Sequence, residues 1–151
     1  MHITKDNIGQ FIYGSIMDCS NKGITRLEYI PDGITRLYCY SNKLTELPKL
    51  PESLTHLFCQ YNQLTELPKL PDGLKYLYCY SNKLTELTKL PESLEYLSCE
   101  HNKLTELPKL PEGLVILNCE HNNLPYKVTI ENLKEHNKLI KRKNILKLIC
   151  T

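Results

Sequence analysis

The sequence predicts a β-rich solenoid, with an in-register parallel concave sheet, an extended polyproline-II-like convex side and a C-terminal capping helix. Three observations predict it. First, the motif Leu-x-Cys-x-x-Asn-x-Leu recurs every 20 residues, at Leu37, Leu57, Leu77, Leu97 and Leu117, with a degenerate copy at Met17, Cys19 and Ile24. A fixed period of that length means that each unit buries its apolar side against its neighbours. Second, each repeat contains a short alternating stretch such as His56-Leu57-Phe58-Cys59-Gln60, the period of a strand. Third, the return half reads Leu-Pro-Lys-Leu-Pro, in which proline fixes φ and removes N–H donors, excluding both helix and sheet.

From these come three segments. Residues 1–16, with Ile3, Ile8, Phe11, Ile12, Tyr13 and Ile16, are expected to cap the first coil. Residues 17–125 hold five full repeats and one degenerate repeat. Residues 126–151 form a basic, helical C-terminal cap. In the last segment the periodicity changes. Thr129 is a candidate N-cap, and Ile130, Leu133, Ile140, Ile145, Leu146 and Ile149 suggest a stripe that seals the last repeat, with helix to about residue 148. Neither end shows an obvious unpaired strand in the sequence, which favours a monomer.

Within a repeat each kept residue type has a physical role. The leucines face the core, each contributing about 1.5–3 kcal/mol on burial. Asn42, Asn62, Asn82, Asn102 and Asn122 follow the strand, where an amide serves both a backbone N–H and a backbone C=O inside the turn. Thr88 stands where the other repeats carry Pro48, Pro68 and Pro108, so stiffness falls there. The column Glu46, Glu66, Glu86 and Glu106 runs beside Lys49, Lys69, Lys89 and Lys109, and opposite signs in a solvated face relieve like-charge repulsion.

Cys19, Cys39, Cys59, Cys79, Cys99 and Cys119 are each 20 residues apart and form a column. Adjacent strands lie about 4.8 Å apart with parallel Cβ vectors, whereas a disulfide wants its Cβ atoms about 3.8 Å apart and converging. The column therefore reads as buried free thiols, which fits a reducing, cytoplasmic compartment. Cys150 lies outside it, and no neighbouring group in sequence pairs it with a base, so no catalytic role is assigned.

The chain has a formal net charge of +2, but residues 127–151 hold seven basic and two acidic residues, so residues 1–126 are net acidic. The tail cluster Lys138, Lys141, Arg142, Lys143 and Lys147 could contact nucleic acid or an anionic membrane. No nucleic-acid module or interleaved aromatic residue accompanies it, so capping is the favoured reading. No apolar run is long enough to span a membrane, and the N-terminus lacks a signal-peptide layout. No Gly-rich phosphate loop, nucleophile elbow or split-pKa carboxylate pair is present, so no enzyme activity and no cofactor are expected. The repeated Cys-Glu-His-Asn string at Glu100-His101 and Glu120-His121 raises a metal site. Equivalent residues in adjacent coils point in parallel, so a polar rim is preferred.

The string from Leu67 to Leu84, with its Leu-Pro-x-Leu-Pro-x-x-Leu pattern, resembles the short, 20-residue class of leucine-rich repeat. That class is best known in bacterial effectors delivered into host cells, some of which join a ubiquitin-ligase domain to the repeats. The resemblance covers about residues 17–125. The Lys/Asn/Ile/Tyr-rich texture, with Cys where Val is commoner, also resembles the leucine-rich repeat proteins of giant viruses such as mimiviruses. It implies a binding module acting between virus or effector and host. There is no second domain of ligase size, so ligase activity does not carry over.

Function is expected where the repeats differ. The outward strand residues vary between copies and are aromatic in the middle: Tyr38, Tyr40, His56, Phe58, Tyr61, Tyr76, Tyr78, Tyr80 and Tyr96, followed by Glu100 and His101. Tyrosine offers large, rigid, amphipathic contact area, while cross-strand stacking of aromatics also stabilises a sheet. These residues are the candidate site for a protein partner. The alternatives are a structural component of a larger assembly, such as a virion, and an adaptor for a separate ubiquitin ligase.

Overall fold

The structure, a computed structural model, describes residues 1–149; Cys150 lies outside the described residues. The chain winds into a solenoid of about six coils. Its sheet runs β2 (Ile12–Tyr13), β3 (Ile16–Asp18), β5 (Arg36–Tyr38), β6 (His56–Phe58), β7 (Tyr76–Tyr78), β8 (Tyr96–Ser98) and β9 (Ile116–Asn118). From β3 to β9 all pairings are parallel with a constant 20-residue offset, so Leu37, Leu57, Leu77, Leu97 and Leu117 stand in one row. One repeat therefore makes one coil, and its period sets the register.

The expected alternation holds. Leu37, Leu57, Leu77 and Leu97 and the cysteines beside them from Cys19 to Cys99 are fully buried, while the intervening residues face outward. From the second coil onward the return side carries neither helix nor strand; in the first coil Arg26–Leu27 forms a short strand there. The return side closes with a turn in which the N–H of Leu54 donates to Pro51 (3.1 Å), repeated at Leu74, Leu94 and Leu114. Leu47, Leu50 and their equivalents fill the core from this side.

The asparagine ladder does more than close its own turn. Asn62 accepts from the Leu44 N–H (3.0 Å) and donates to the carbonyls of Cys39 (3.0 Å) and Cys59 (3.1 Å). Each amide thus ties its own coil to the preceding one, a link between coils that the sequence reading placed within a single turn. The residue before each of the five ladder asparagines is left-handed: Ser41, Tyr61, Ser81, His101 and His121 have φ between 53° and 55°, as does Asn21, which precedes Lys22 in the degenerate repeat. This bend turns the next side chain inward, at a cost of about 1–2 kcal/mol for a non-glycine residue.

The N-terminal end is closed. Strand β1 (His2–Ile3) pairs in parallel with β4 (Arg26–Leu27), a 3-10 turn (Ile8–Phe11) buries Ile8 and Phe11, and β2 folds back antiparallel on β3. Ile3 and Met17 are fully buried behind this hairpin, although Tyr13 faces solvent.

The C-terminal end departs from expectation. Helix α1 (Leu133–Ile149) begins four residues beyond Thr129. Thr129 and Asn132 instead cap a turn ahead of it: Asn132 Oδ1 accepts from Thr129 N–H (2.9 Å), and Thr129 Oγ1 accepts from Asn132 N–H (3.4 Å). The apolar stripe seals little. Leu133 and His136 are buried, but Ile130, Ile145, Leu146 and Ile149 are exposed, because the buried part of the helix is confined to its first turn. There His136 Nε2 donates to the Pro108 carbonyl (2.9 Å) and Asn137 bonds the main chain of Leu110. These contacts lie on the return side, not over the strand. The outer edge of β9 consequently pairs with no strand among the described residues, which corrects the expectation that neither end exposes one.

Candidate interaction surface on the concave sheet

The strand register assembles the predicted site residues into columns. In one, Tyr38, Phe58 and Tyr78 stack face to face, with centroids 4.7 and 5.0 Å apart. In a second, His56, Tyr76 and Tyr96 stack at 4.4 and 4.6 Å. Both follow from the sheet itself: strands about 4.8 Å apart hold rings of equivalent residues at stacking distance. Each stacked pair is worth about 0.5–1.5 kcal/mol beyond burial. The rings remain half-buried, with their edges presented to solvent.

Around these columns the remaining residues take distinct places. Tyr61 and Tyr80 meet edge to face at 5.1 Å, and Tyr61 is 54 % exposed at its left-handed position. Tyr40 is half-buried in the column of Gln60 and Tyr80, and the Oε1 of Gln60 is buried there without a hydrogen-bond partner. Glu100 accepts from the Ser98 hydroxyl (2.7 Å), and Ser98, expected to face outward, is buried where the first aromatic column ends. His101 stacks on His121 at 4.2 Å, the rings nearly parallel at 9°, which makes a polar rim. No group of three or more His, Cys, Asp or Glu among the described residues is placed to hold a metal ion.

The electrostatics grade along the face. Burial, then the positive charges of Arg36 and Lys75, hold the His56 imidazole below its ordinary value. Its Nδ1 lies 2.8 Å from Thr55 Oγ1, which spends its own proton on the Thr35 carbonyl (3.0 Å). Neutral His56 therefore carries its proton on Nδ1. Burial, with Tyr61 and Glu100 nearby, raises Tyr80. Among the thiols, burial pushes Cys19 up to about 12 and Cys119 to about 11, and the four between them well above the ordinary range. Such thiols are neutral and behave as small apolar side chains.

The outer charge columns differ from expectation. Among the described residues no ion pair joins the glutamate column to the lysine column. Lys109 pairs with Glu92 (2.9 Å), and Glu106 pairs with Lys143 of α1, which lowers the Glu106 carboxyl. Sequence reasoning missed this pairing and the docking roles of His136 and Asn137. The one signal was a histidine and an asparagine within an otherwise lysine-rich helix. No helix is long and apolar enough to cross a membrane among the described residues.

Comparison with known proteins agrees with this architecture. A family model described as Leucine Rich repeats (2 copies) matches residues 52–92. No curated protein sequence gives a significant match. Among solved structures, YopM from Yersinia enterocolitica WA-314 is 40% identical over 72% of this chain, with a TM-score of 0.71. A Shigella effector LRR domain is 33% identical over 78% of this chain, with a TM-score of 0.75. The chain spans 24% of the former and 54% of the latter, about a quarter and about half of their lengths. With its motif, register and asparagine ladder, this chain has the leucine-rich repeat fold, and its solenoid is similar to those of bacterial effectors.

Proposed function

We propose that this chain is a non-catalytic interaction module that holds a protein partner on its concave aromatic face. The observation that carries the reading is the pair of half-exposed stacked columns, Tyr38–Phe58–Tyr78 and His56–Tyr76–Tyr96, at positions where the repeats differ. Rings already ordered by one another lose little further freedom on binding, which lowers the entropic cost of an interface. Tyr61, Tyr80, Tyr40, Glu100 and His101 border this patch and would supply hydrogen bonds at its rim. The likeness to bacterial effector repeats supports a role on host proteins, and the six buried free thiols of the cysteine column are consistent with a reducing cytoplasm.

The test is affinity capture from host lysate with the wild-type chain and a Phe58→Ala, Tyr78→Ala, Tyr80→Ser variant, followed by titration of the purified partner. Circular dichroism and thermal melting establish that the variant is folded. A partner that binds wild type and is lost by the folded variant is the expected result. Equal binding by both would remove the concave face from the account. A structural role in a larger assembly is the second reading, favoured by the unpaired edge of β9.

A further inference from the structure

The solenoid is closed at one end and open at the other. At the N-terminal end, β2 covers β3 antiparallel. At the C-terminal end β9 has β8 on one side and, among the described residues, no strand on the other. The backbone records the difference. In each earlier coil the cysteine N–H donates forward to the next, as Cys59 does to Tyr78 (2.9 Å) and Cys99 to Asn118 (2.8 Å). The residue two further on does the same, as His101 does to Glu120 (3.1 Å). The carbonyl opening each strand accepts from the next coil, as Glu95 does from Val115 (2.8 Å) and Ile116 (3.2 Å). In the last coil the corresponding groups, the N–H of Cys119 and of His121 and the carbonyl of Val115, make no such bond among the described residues.

Side chains at this edge are uncovered as well. Val115 is 58 % exposed and Ile116 43 %, and Leu117 is only partly covered, whereas its four equivalents are fully buried. Leu124 is likewise only partly covered. A cleft of about 230 Å³ lies beside the edge, with Cys119, Leu124, Tyr126 and Val128 in its lining together with the polar Glu120, His121, Asn122 and Lys127. An apolar edge strand with free backbone groups is a template for another strand.

We propose that this edge pairs with the same edge of a second copy, antiparallel and two-fold symmetric about Leu117, which joins two seven-stranded sheets into one. The arrangement of the free groups is self-complementary. The unbonded donor, Cys119, and the unbonded acceptor, Val115, each lie two residues from Leu117. Antiparallel pairing centred there brings the Cys119 N–H of one copy to the Val115 carbonyl of the other, twice by symmetry. Because the side-chain period is two, Leu117 meets its counterpart on the core side, and Ile116 stands beside Asn118 of the partner copy on the concave side. Like charges stay apart: the two Glu120 residues are separated by about 20 Å along the strands. The β2 hairpin occupies the opposite end, so the pairing closes as a dimer and does not extend into a fibre. The partner-binding face would then run continuously across both copies.

Sedimentation across the micromolar range tests this, with hydrogen–deuterium exchange on the same samples. The expected result is a reversible dimer in which amides of residues 117–121 gain protection as concentration rises. Val115→Lys with Ile116→Lys, both at exposed positions, should abolish the dimer while the circular dichroism spectrum is kept. Tyr13→Lys at the closed end should leave it intact. A wild-type chain that stays monomeric throughout would overturn the proposal. So would a dimer that survives the double lysine variant, or concentration-dependent protection that maps to α1 and not to β9.

Discussion

The side chain of Asn137 holds the main chain of Leu110 on both sides: its Oδ1 accepts from the Leu110 N–H and its Nδ2 donates to the Leu110 carbonyl, each at 2.8 Å. Beside it His136 donates to Pro108 from Nε2 (2.9 Å) and accepts from the Tyr126 hydroxyl at Nδ1 (2.8 Å). The carbonyl of Pro108 is an acceptor only, so the proton of the neutral ring is on Nε2. Polar docking, with Leu133 and Val128 as its apolar part, therefore attaches α1 to the last coil.

Asn137→Ala should destabilise the chain by about 1–3 kcal/mol, because it leaves a partly buried donor and acceptor unpaired. Urea unfolding followed by circular dichroism measures it. Leu146→Ala, in the exposed half of the helix, should change stability by less than about 0.5 kcal/mol. Equal losses in both variants would mean that the far half of the helix also packs.

The asparagine ladder makes a graded prediction. Asn62→Ala removes bonds to Leu44, Cys39 and Cys59 in a buried position and should cost at least about 2 kcal/mol. Asn122→Ala removes the equivalent bonds at the partly exposed end of the solenoid, where water can replace some of them, and should cost less. The comparison needs only two melts and one reference.

Thr88→Pro is expected to stabilise by about 0.5–1 kcal/mol, since it restricts the unfolded chain at a position where three other coils already carry proline. It also removes a hydroxyl whose oxygen is buried without a partner. A lower melting temperature in this variant would show that the fourth coil has drifted from the backbone of its neighbours.

His56 supplies the pH dependence. Its folded-state value is lowered, first by burial and then by Arg36 and Lys75. A lowered histidine means that the unfolded chain binds the proton more readily. The stability His56 contributes is complete above its ordinary value of 6.5 and is lost as pH falls through its folded value. An NMR titration of His56 should show a midpoint below 6.5, and His56→Gln should flatten this part of the stability profile. A midpoint at or above 6.5 would contradict the geometry.

The thiol column should protect itself by position. In native chain treated with iodoacetamide at mildly alkaline pH, peptide mapping should find Cys39, Cys59, Cys79 and Cys99 unmodified. Cys119, raised only to about 11 and next to the open edge, should react before them. Uniform labelling of all five would mean that the coils open together.

The repeat was legible because its information is local and redundant. Leucine and cysteine at period two and asparagine after the strand each state the same coil five times, and a 20-residue period leaves one register for the sheet. By that route the sequence determined the solenoid, the buried thiols and the identity of the concave columns Tyr38–Phe58–Tyr78 and His56–Tyr76–Tyr96. What it could not determine occurs once and depends on neighbours far along the chain. The helix at 133–149 meets Pro108 and Leu110 through a histidine and an asparagine, while the residues of its expected apolar stripe from Ile145 onward face solvent. Periodicity records which residues are apolar, not which surface stands opposite them. Only the tertiary structure decided that α1 docks on the return side, that Glu106 pairs with Lys143, and that the edge of β9 is left open. An edge is open or closed according to what packs beside it, and no residue of β9 carries that information alone.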